Sequence, residues 1–284
     1  MIVIIEVPAK LEKVEEIDEL NFNLYQEIYS SNQEVVIDLS QTSFTYPFGM
    51  VSLLVGLENL SKHKNIKIDF NKTPNVFLSY IERMNFFEYL PSEIVNDYDL
   101  SYLKQRKRNN LSEVLLEITK IEKKQDVYKL TDCLYQIFHN KVSTRVTTNI
   151  ISIVTELANN ILDHSESTGY VAVQYYKSNI IRMAIIDDGV GIVNKFKSKV
   201  QHINEPLRIL KKAFKIRNST RENMLGGRGL RHMRESSYDE MFSSTTIHLK
   251  TGENIYSIEK DNIILLKETT EYRGTYYDFT IKID

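Results

Sequence analysis

Residues 184–192, AIIDDGVGI, run three apolar side chains into two aspartates and then two glycines one residue apart, in a chain with 10 glycines among 284 residues. An apolar run that ends on a carboxylate reads as a strand finishing at a sheet rim. Gly-x-Gly then lets the backbone pass close to a ligand, because glycine has no Cβ and tolerates positive φ. Taken alone the pattern also fits a tight turn, since aspartate and glycine are ordinary turn residues. The preceding GYVAVQYY and IIRMAIID, joined by the turn-like KSN, read as two consecutive strands, the second ending at Asp187.

Upstream, TTNIISIVTELANNILDHS reads as one long helix with apolar positions at three- and four-residue steps. Glu156 and Asn160 are four apart on one face of it, and Asp163 continues the line. A carboxylate beside an amide oxygen is what a magnesium ion and an attacking water need: the amide ligates the hard cation and the acid orients or deprotonates the nucleophile. Downstream, in NMLGGRGLRHM, Gly226, Gly227 and Gly229 precede a helix expected from about Leu230, with Arg228 among them. Backbone N–H groups at such a helix start suit phosphates. The cluster lacks the lysine and hydroxyl of a Walker loop, and it does not directly follow a strand as a dinucleotide fingerprint does.

Around this centre the chain divides in two. The first ninety residues alternate MIVIIEV, VVIDLS and NIKIDF as strands with PFGMVSLLVGLENLSKH and NVFLSYIERMNFFEYL as helices, an α/β layer pattern. Periodicity lapses after Pro91 and ends in the basic cluster Lys104, Arg106, Lys107 and Arg108, where a solvated domain junction is expected. Beyond it LLEITKI reads as a strand and DVYKLTDCLYQIFH as a helix. Residues 193–225 are rich in lysine and arginine, with a helix around EPLRILKKAF. TTIHLKT, NIILLKE and GTYYDFTIKID close the chain as three strands.

A formal charge of −2 and a pI near 6.3 offer no globally basic surface for nucleic acid or an anionic membrane. No stretch reaches the roughly 18 apolar residues of a membrane span, and the start meets a glutamate and a proline too early for a signal peptide, so a cytoplasmic protein is expected. The single cysteine, Cys133, forms no internal disulfide and is expected to be a buried, inert thiol on an apolar helical stripe.

The ordered set Glu156 to Asn160, Asp187-x-Gly189-x-Gly191, Gly227-x-Gly229 and Gly274-Thr275 resembles the Bergerat-fold GHKL family of gyrase B subunits, heat-shock chaperones, histidine kinases, mismatch-repair ATPases and anti-sigma-factor kinases. The resemblance covers roughly residues 110–284. It implies ATP and Mg²⁺ as ligands. Asp187 would accept the adenine amino group, with Gly189 and Gly191 passing over the base. Asn160 would ligate magnesium, and Glu156 would activate water or a hydroxyl. Gly227, Arg228 and Gly229 would meet the phosphates from the far side of a lid formed by residues 193–225, and Thr275 would reach the Asp187 pocket through its hydroxyl and a water. Asn159 and Asp188 repeat their neighbours' residue types; the Glu156 to Asn160 spacing and the Asp-x-Gly-x-Gly phase favour Asn160 and Asp187.

Residues 35–90 are similar to sulfate-transporter and anti-sigma-antagonist (STAS) domains in element order and in the Gly49 that opens the helix. Where that family carries Asp-Ser-Ser with a phosphorylated serine, this chain has Tyr46, Pro47 and Phe48. Ser43, Thr45 and Ser52 remain nearby, with turn and helix roles expected. The fold expected is therefore a two-domain α/β chain: a STAS-like α/β domain over 1–95, a linker over 96–110, and an α/β-sandwich Bergerat domain over 111–284.

Together these resemblances imply a signalling protein in which Mg-ATP binding, with slow hydrolysis, switches the lid and the binding of a protein partner through the STAS-like domain; a homodimer is left open. A histidine kinase would need a phosphoacceptor histidine before the ATP domain, and residues 64–138 contain none; His63, His139, His164, His202, His232 and His248 read as surface or pocket-edge residues. An anti-sigma-type serine kinase is the second enzyme class, and a module that senses ATP without turning it over is the non-enzymatic alternative. A topoisomerase or mismatch-repair role would need a transducer domain after the ATP domain.

Overall fold

The computed structural model describes residues 2–95, 98, 101–104, 115–165, 168–197, 203–214, 229–270 and 273–284. The chain divides into two compact units, Met1–Leu111 and Ser112–Asp284. No helix among the described residues is long and apolar enough to cross a membrane.

The first unit runs β1 (Ile2–Glu6), β2 (Lys10–Leu11), α1 (Val14–Tyr29), β3 (Glu34–Asp38), β4 (Phe44–Thr45), α2 (Pro47–Ser61), β5 (Asn65–Ile68), α3 (Asn75–Arg83), α4 (Phe86–Tyr89), α5 (Ser92–Val95) and α6 (Ser101–Lys104). Strands β1, β3 and β5 form a parallel sheet in the order β1-β3-β5, and β2 pairs with β4. Side chains alternate across the pleat: Ile5, Val35, Ile37, Ile66 and Ile68 are buried, while Ile2 and Ile4 on the edge strand are 65% and 63% exposed. Pro47 starts α2, where its missing N–H costs nothing, and the N-cap Tyr46 makes no side-chain cap. A Cβ on Gly49 would lie 2.5 Å from Leu11 Cβ and 2.7 Å from Leu11 O, so β2 reaches α2 only over glycine.

The sequence reading has none of the short elements β2, β4, α5 and α6. Helix α1 is absent from it, and the single helix expected over 75–90 is two, because Asn85 takes a left-handed conformation at φ 61° between them. Asparagine tolerates that region and so ends helices there. Ser43 and Thr45 donate to the Ala9 and Tyr46 carbonyls, and Ser52 is buried.

The second unit runs β6 (Leu115–Ile121), α7 (Lys124–Phe138), α8 (Thr144–Asn160), a π-helical turn over Ile161–Ser165, β7 (Gly169–Tyr176), β8 (Ile180–Asp187), α9 (Ile192–Lys197), α10 (Pro206–Ala213), α11 (Gly229–Ser237), β9 (Phe242–Thr251), β10 (Asn254–Ile258), β11 (Ile263–Glu268) and β12 (Thr275–Ile283). Its seven strands form an antiparallel sheet in the order β11-β10-β9-β12-β8-β7-β6. Four closing strands therefore stand where the sequence reading has three; β10 is the addition.

One face of this sheet carries the core. Val171, Val173, Met183, Ile185, Ile247 and Phe279 meet Leu130 and Leu134 of α7, Ile150 and Val154 of α8, and Leu230 and Met233 of α11. Full burial of one such side chain contributes about 1.5–3 kcal/mol. Helix α7 starts where the Asp126 carboxylate accepts from the Glu122 and Lys123 amides, and α8 where Ser143 Oγ accepts from the Val146 amide. Arg145 of α8 reaches Asp239 and Glu240 just past α11, at 2.9 and 2.6 Å. Cys133 is exposed, contrary to the sequence expectation: Val127, Leu130, Leu134 and Ile137 take the core-facing stripe of α7 and leave the cysteine to its side.

Candidate functional site

Strand β8 lies between β7 and β12, and its last residue, Asp187, stands opposite Gly169 on one side and Thr275 on the other. Asp187 is 8% exposed, and its Oδ1 accepts the Gly189 amide at 2.9 Å. Burial pushes its carboxyl from 3.8 up to about 7; hydrogen bonds from Gly189 and Thr275 pull the other way, and the neighbouring Asp188 adds to the rise. Thr275, from which the sequence reading expects contact with the Asp187 pocket through its hydroxyl and a water, stands beside Asp187, and its hydroxyl and backbone help hold the carboxylate. The strand register brings the two residues side by side.

Glycine is required at two crossings here. Gly274 has φ 103°, and a Cβ on it would stand 1.9 Å from the Asp187 carbonyl oxygen. Gly191 has φ 77°, and its Cβ would meet Thr251 Oγ1 at 3.0 Å and the Gly274 carbonyl oxygen at 3.1 Å. Thr251 Oγ1 accepts the Ile192 amide at 3.1 Å and so fixes the start of α9. That helix carries Lys195 and Phe196 into the wall of a cavity.

Asp187, Gly191, Thr275, Asn160, Lys195 and Gly229 all line this cavity, on an apolar lining that includes Leu157, Ile161, Ile185, Phe196 and Leu230. Asp188 and Asn159 do not line it; Asn159 instead faces a groove between α7 and α8. Asn160 is the last residue of α8 before the π-helical turn, a local widening that recurs at functional sites. Gly229 opens α11, and a Cβ there would be 2.6 Å from Glu156 Oε2 and 3.9 Å from Asn160 Oδ1. Helices α8 and α11 thus bring together Glu156, Asn160 and Gly229, which are scattered in sequence.

Glu156 takes a different position from Asn160. It stands outside the cavity lining, one turn before Asn160, and borders the outer groove with Asn159. Its Oε1 lies 3.5 Å from His232 Nδ1, which is also 3.3 Å from Ser152 Oγ. Gly227 and Arg228 lie outside the described residues, as do 198–202 and 215–225 of the expected lid and the basic residues Arg106, Lys107 and Arg108 of the expected linker.

Sequence reasoning missed Lys195, Thr251 and Tyr277. Lys195 is the one cationic side chain in the cavity wall among the described residues, and its Nζ donates to the Asp163 carbonyl at 3.3 Å. Its position four residues past Gly191 was the available signal; Thr251 and Tyr277 arrive from remote strands and gave none.

No protein-family model matches the chain, and no curated protein matches it. Among solved structures, the histidine kinase domain of the blue-light-activated histidine kinase of Erythrobacter litoralis EL346 is similar at 11% identity and a TM-score of 0.29, with 95% of this chain and 94% of that chain covered. A likeness of that degree transfers no residue roles, and the chemistry rests on the cavity itself.

Proposed function

We propose that residues 112–284 form a Bergerat-type, histidine-kinase-like module that binds ATP with Mg²⁺, and that this binding regulates a protein partner of a STAS-like first unit. The observation that carries the reading is the buried carboxyl of Asp187 in the cavity wall. Burying a carboxylate is unfavourable unless it is paired, and burial is the largest cause of the rise of its pKa to about 7. A ligand with an N–H donor, such as the adenine amine, relieves it by hydrogen-bonding the charged form.

The other polar groups suit the rest of the nucleotide. Lys195 would meet phosphate charge, and Gly229 leaves open the space beside Asn160. Asn160 would hold magnesium through its amide oxygen. Magnesium is commonly bound by one or two protein oxygens with phosphates and water, and the described residues contain no group of three or more His, Cys, Asp or Glu side chains that could hold a metal. The donor set therefore fits an ion that arrives with its phosphates. When bound, that ion would supply charge neutralisation to them.

Glu156, beside Asn160 and against Gly229, would serve as the base for slow hydrolysis. Its place outside the cavity lining and its contact with His232 favour a second reading, in which ATP is sensed without turnover. The exposed Ile2 and Ile4 support partner binding by the first unit.

Calorimetric titration of ATP into the full chain and into Asp187→Asn tests the nucleotide assignment. A charge-assisted hydrogen bond is worth about 1.5–3 kcal/mol, so the variant should bind about ten- to a hundredfold more weakly with its fold intact. Equal affinities would remove the adenine assignment.

A further inference from the structure

Tyr277 lies on β12 two residues after Thr275, so both side chains point to the same face of the sheet, and it pairs with Ile185 two register pairs in from the Asp187–Thr275 pair. Tyr277 lines the cavity, and its ring stacks near Phe279 at 6.0 Å. The residue is 4% exposed, and its hydroxyl has no hydrogen-bond partner among the described residues. Phenylalanine would pack the same space without that hydroxyl, and a buried unsatisfied donor is unfavourable. Burial and the nearby Asp187 push the phenol well above its usual value, so it stays a neutral donor.

We propose that the Tyr277 hydroxyl is a second base-reading group: it donates to the purine ring nitrogen beside the exocyclic amine, while Asp187 accepts from that amine. The inference rests on the nucleotide reading above and adds the donor to it. Adenine presents this pairing, an amine donor flanked by the acceptors N1 and N7. Guanine presents the carbonyl O6 in place of the amine, which would set an acceptor against the Asp187 carboxylate. One acceptor and one donor, both buried, select adenine more strictly than the carboxylate alone.

The test is calorimetry of the full chain and of Tyr277→Phe with ATP, 1-deaza-ATP and 7-deaza-ATP, accompanied by thermal unfolding without nucleotide. Wild type should bind one deaza analogue about tenfold more weakly than ATP, the loss of one buried hydrogen bond. Tyr277→Phe should bind ATP about tenfold more weakly than wild type and should no longer distinguish ATP from that analogue. Without nucleotide the variant should melt at the wild-type temperature or above it, since it loses only an unsatisfied group. The inference is overturned if Tyr277→Phe binds ATP as wild type does, if the analogue gap survives in the variant, or if the empty variant melts lower, which would reveal an existing partner. Should wild type bind no ATP, the nucleotide reading itself fails and takes this assignment with it; ATP binding with an indifferent Tyr277 removes the assignment alone.

Discussion

At one end of the cavity Asp187 and Thr275 stand opposite each other on adjacent strands, with Gly189 and Gly274 closing the turn around them. At the other end Asn160 and Gly229 meet because two helices, α8 and α11, pack together across some seventy residues of intervening chain. The first end is set by backbone register, where a one-residue slip would turn every side chain to the wrong face. The second is set by side-chain packing, which tolerates small shifts. On the proposed reading, recognition of the base would be built into the rigid end, and chemistry or switching would belong to the end that two helices can adjust.

Three perturbations break or sharpen that contrast. The largest effect is expected at the helical end, at Glu156, and there in kinetics only. If Glu156 is a general base, Glu156→Ala lowers ATP turnover by about 10²–10⁴ while affinity stays within a few fold. Asn160→Ala instead loses the Mg²⁺ dependence of binding. Steady-state assays with matched titrations separate the two, and wild-type binding without any turnover establishes the sensing reading.

At the rigid end the expected effect is on stability. Gly274→Ala places a Cβ 1.9 Å from a backbone oxygen at φ 103°, and should destabilise the second unit by more than about 2 kcal/mol. Gly252 is the control: it too has positive φ, at 57°, but nothing lies within 4 Å of its Cβ position. Gly252→Asn should cost less than about 1 kcal/mol, since asparagine tolerates the left-handed region. Denaturant unfolding compares the two, and equal losses would contradict the crossing at Asp187.

Most of the rigid end was legible in the sequence, because its parts are local. The alternation of GYVAVQYY and IIRMAIID, the Asp187-x-Gly189-x-Gly191 phase and the Gly274-Thr275 pair each report backbone needs that only certain residues meet. What escaped depends on distant partners. The apolar positions Val14, Ile17, Leu20 and Leu24 of α1 are diluted by acidic neighbours, and β10 is only five residues long. Tyr277 reads as one more aromatic in a strand until its orphan, buried hydroxyl and its place in the cavity lining are seen together. Glu156 and Asn160 share a helix face in sequence, yet Asn160 lines the cavity and Glu156 does not, and Gly229 of α11 reaches both only through tertiary packing.

The central claim, that Asp187 is the adenine acceptor, is tested most directly by following the Asp187 carboxyl carbon by NMR through a pH titration, with and without ATP. The empty protein should titrate near pH 7, where burial has raised the group from 3.8. The sign follows from linkage: a carboxyl whose folded pKa is raised favours folding below about pH 4, and that contribution, on the order of 4 kcal/mol, is lost as pH rises through about 7. A hydrogen bond from the adenine amine stabilises the carboxylate, so ATP should move the titration well toward acid, and ATP affinity should strengthen as pH rises through 7. GTP, which lacks that amine, should leave it in place. An Asp187 titration unchanged by saturating ATP would contradict the account.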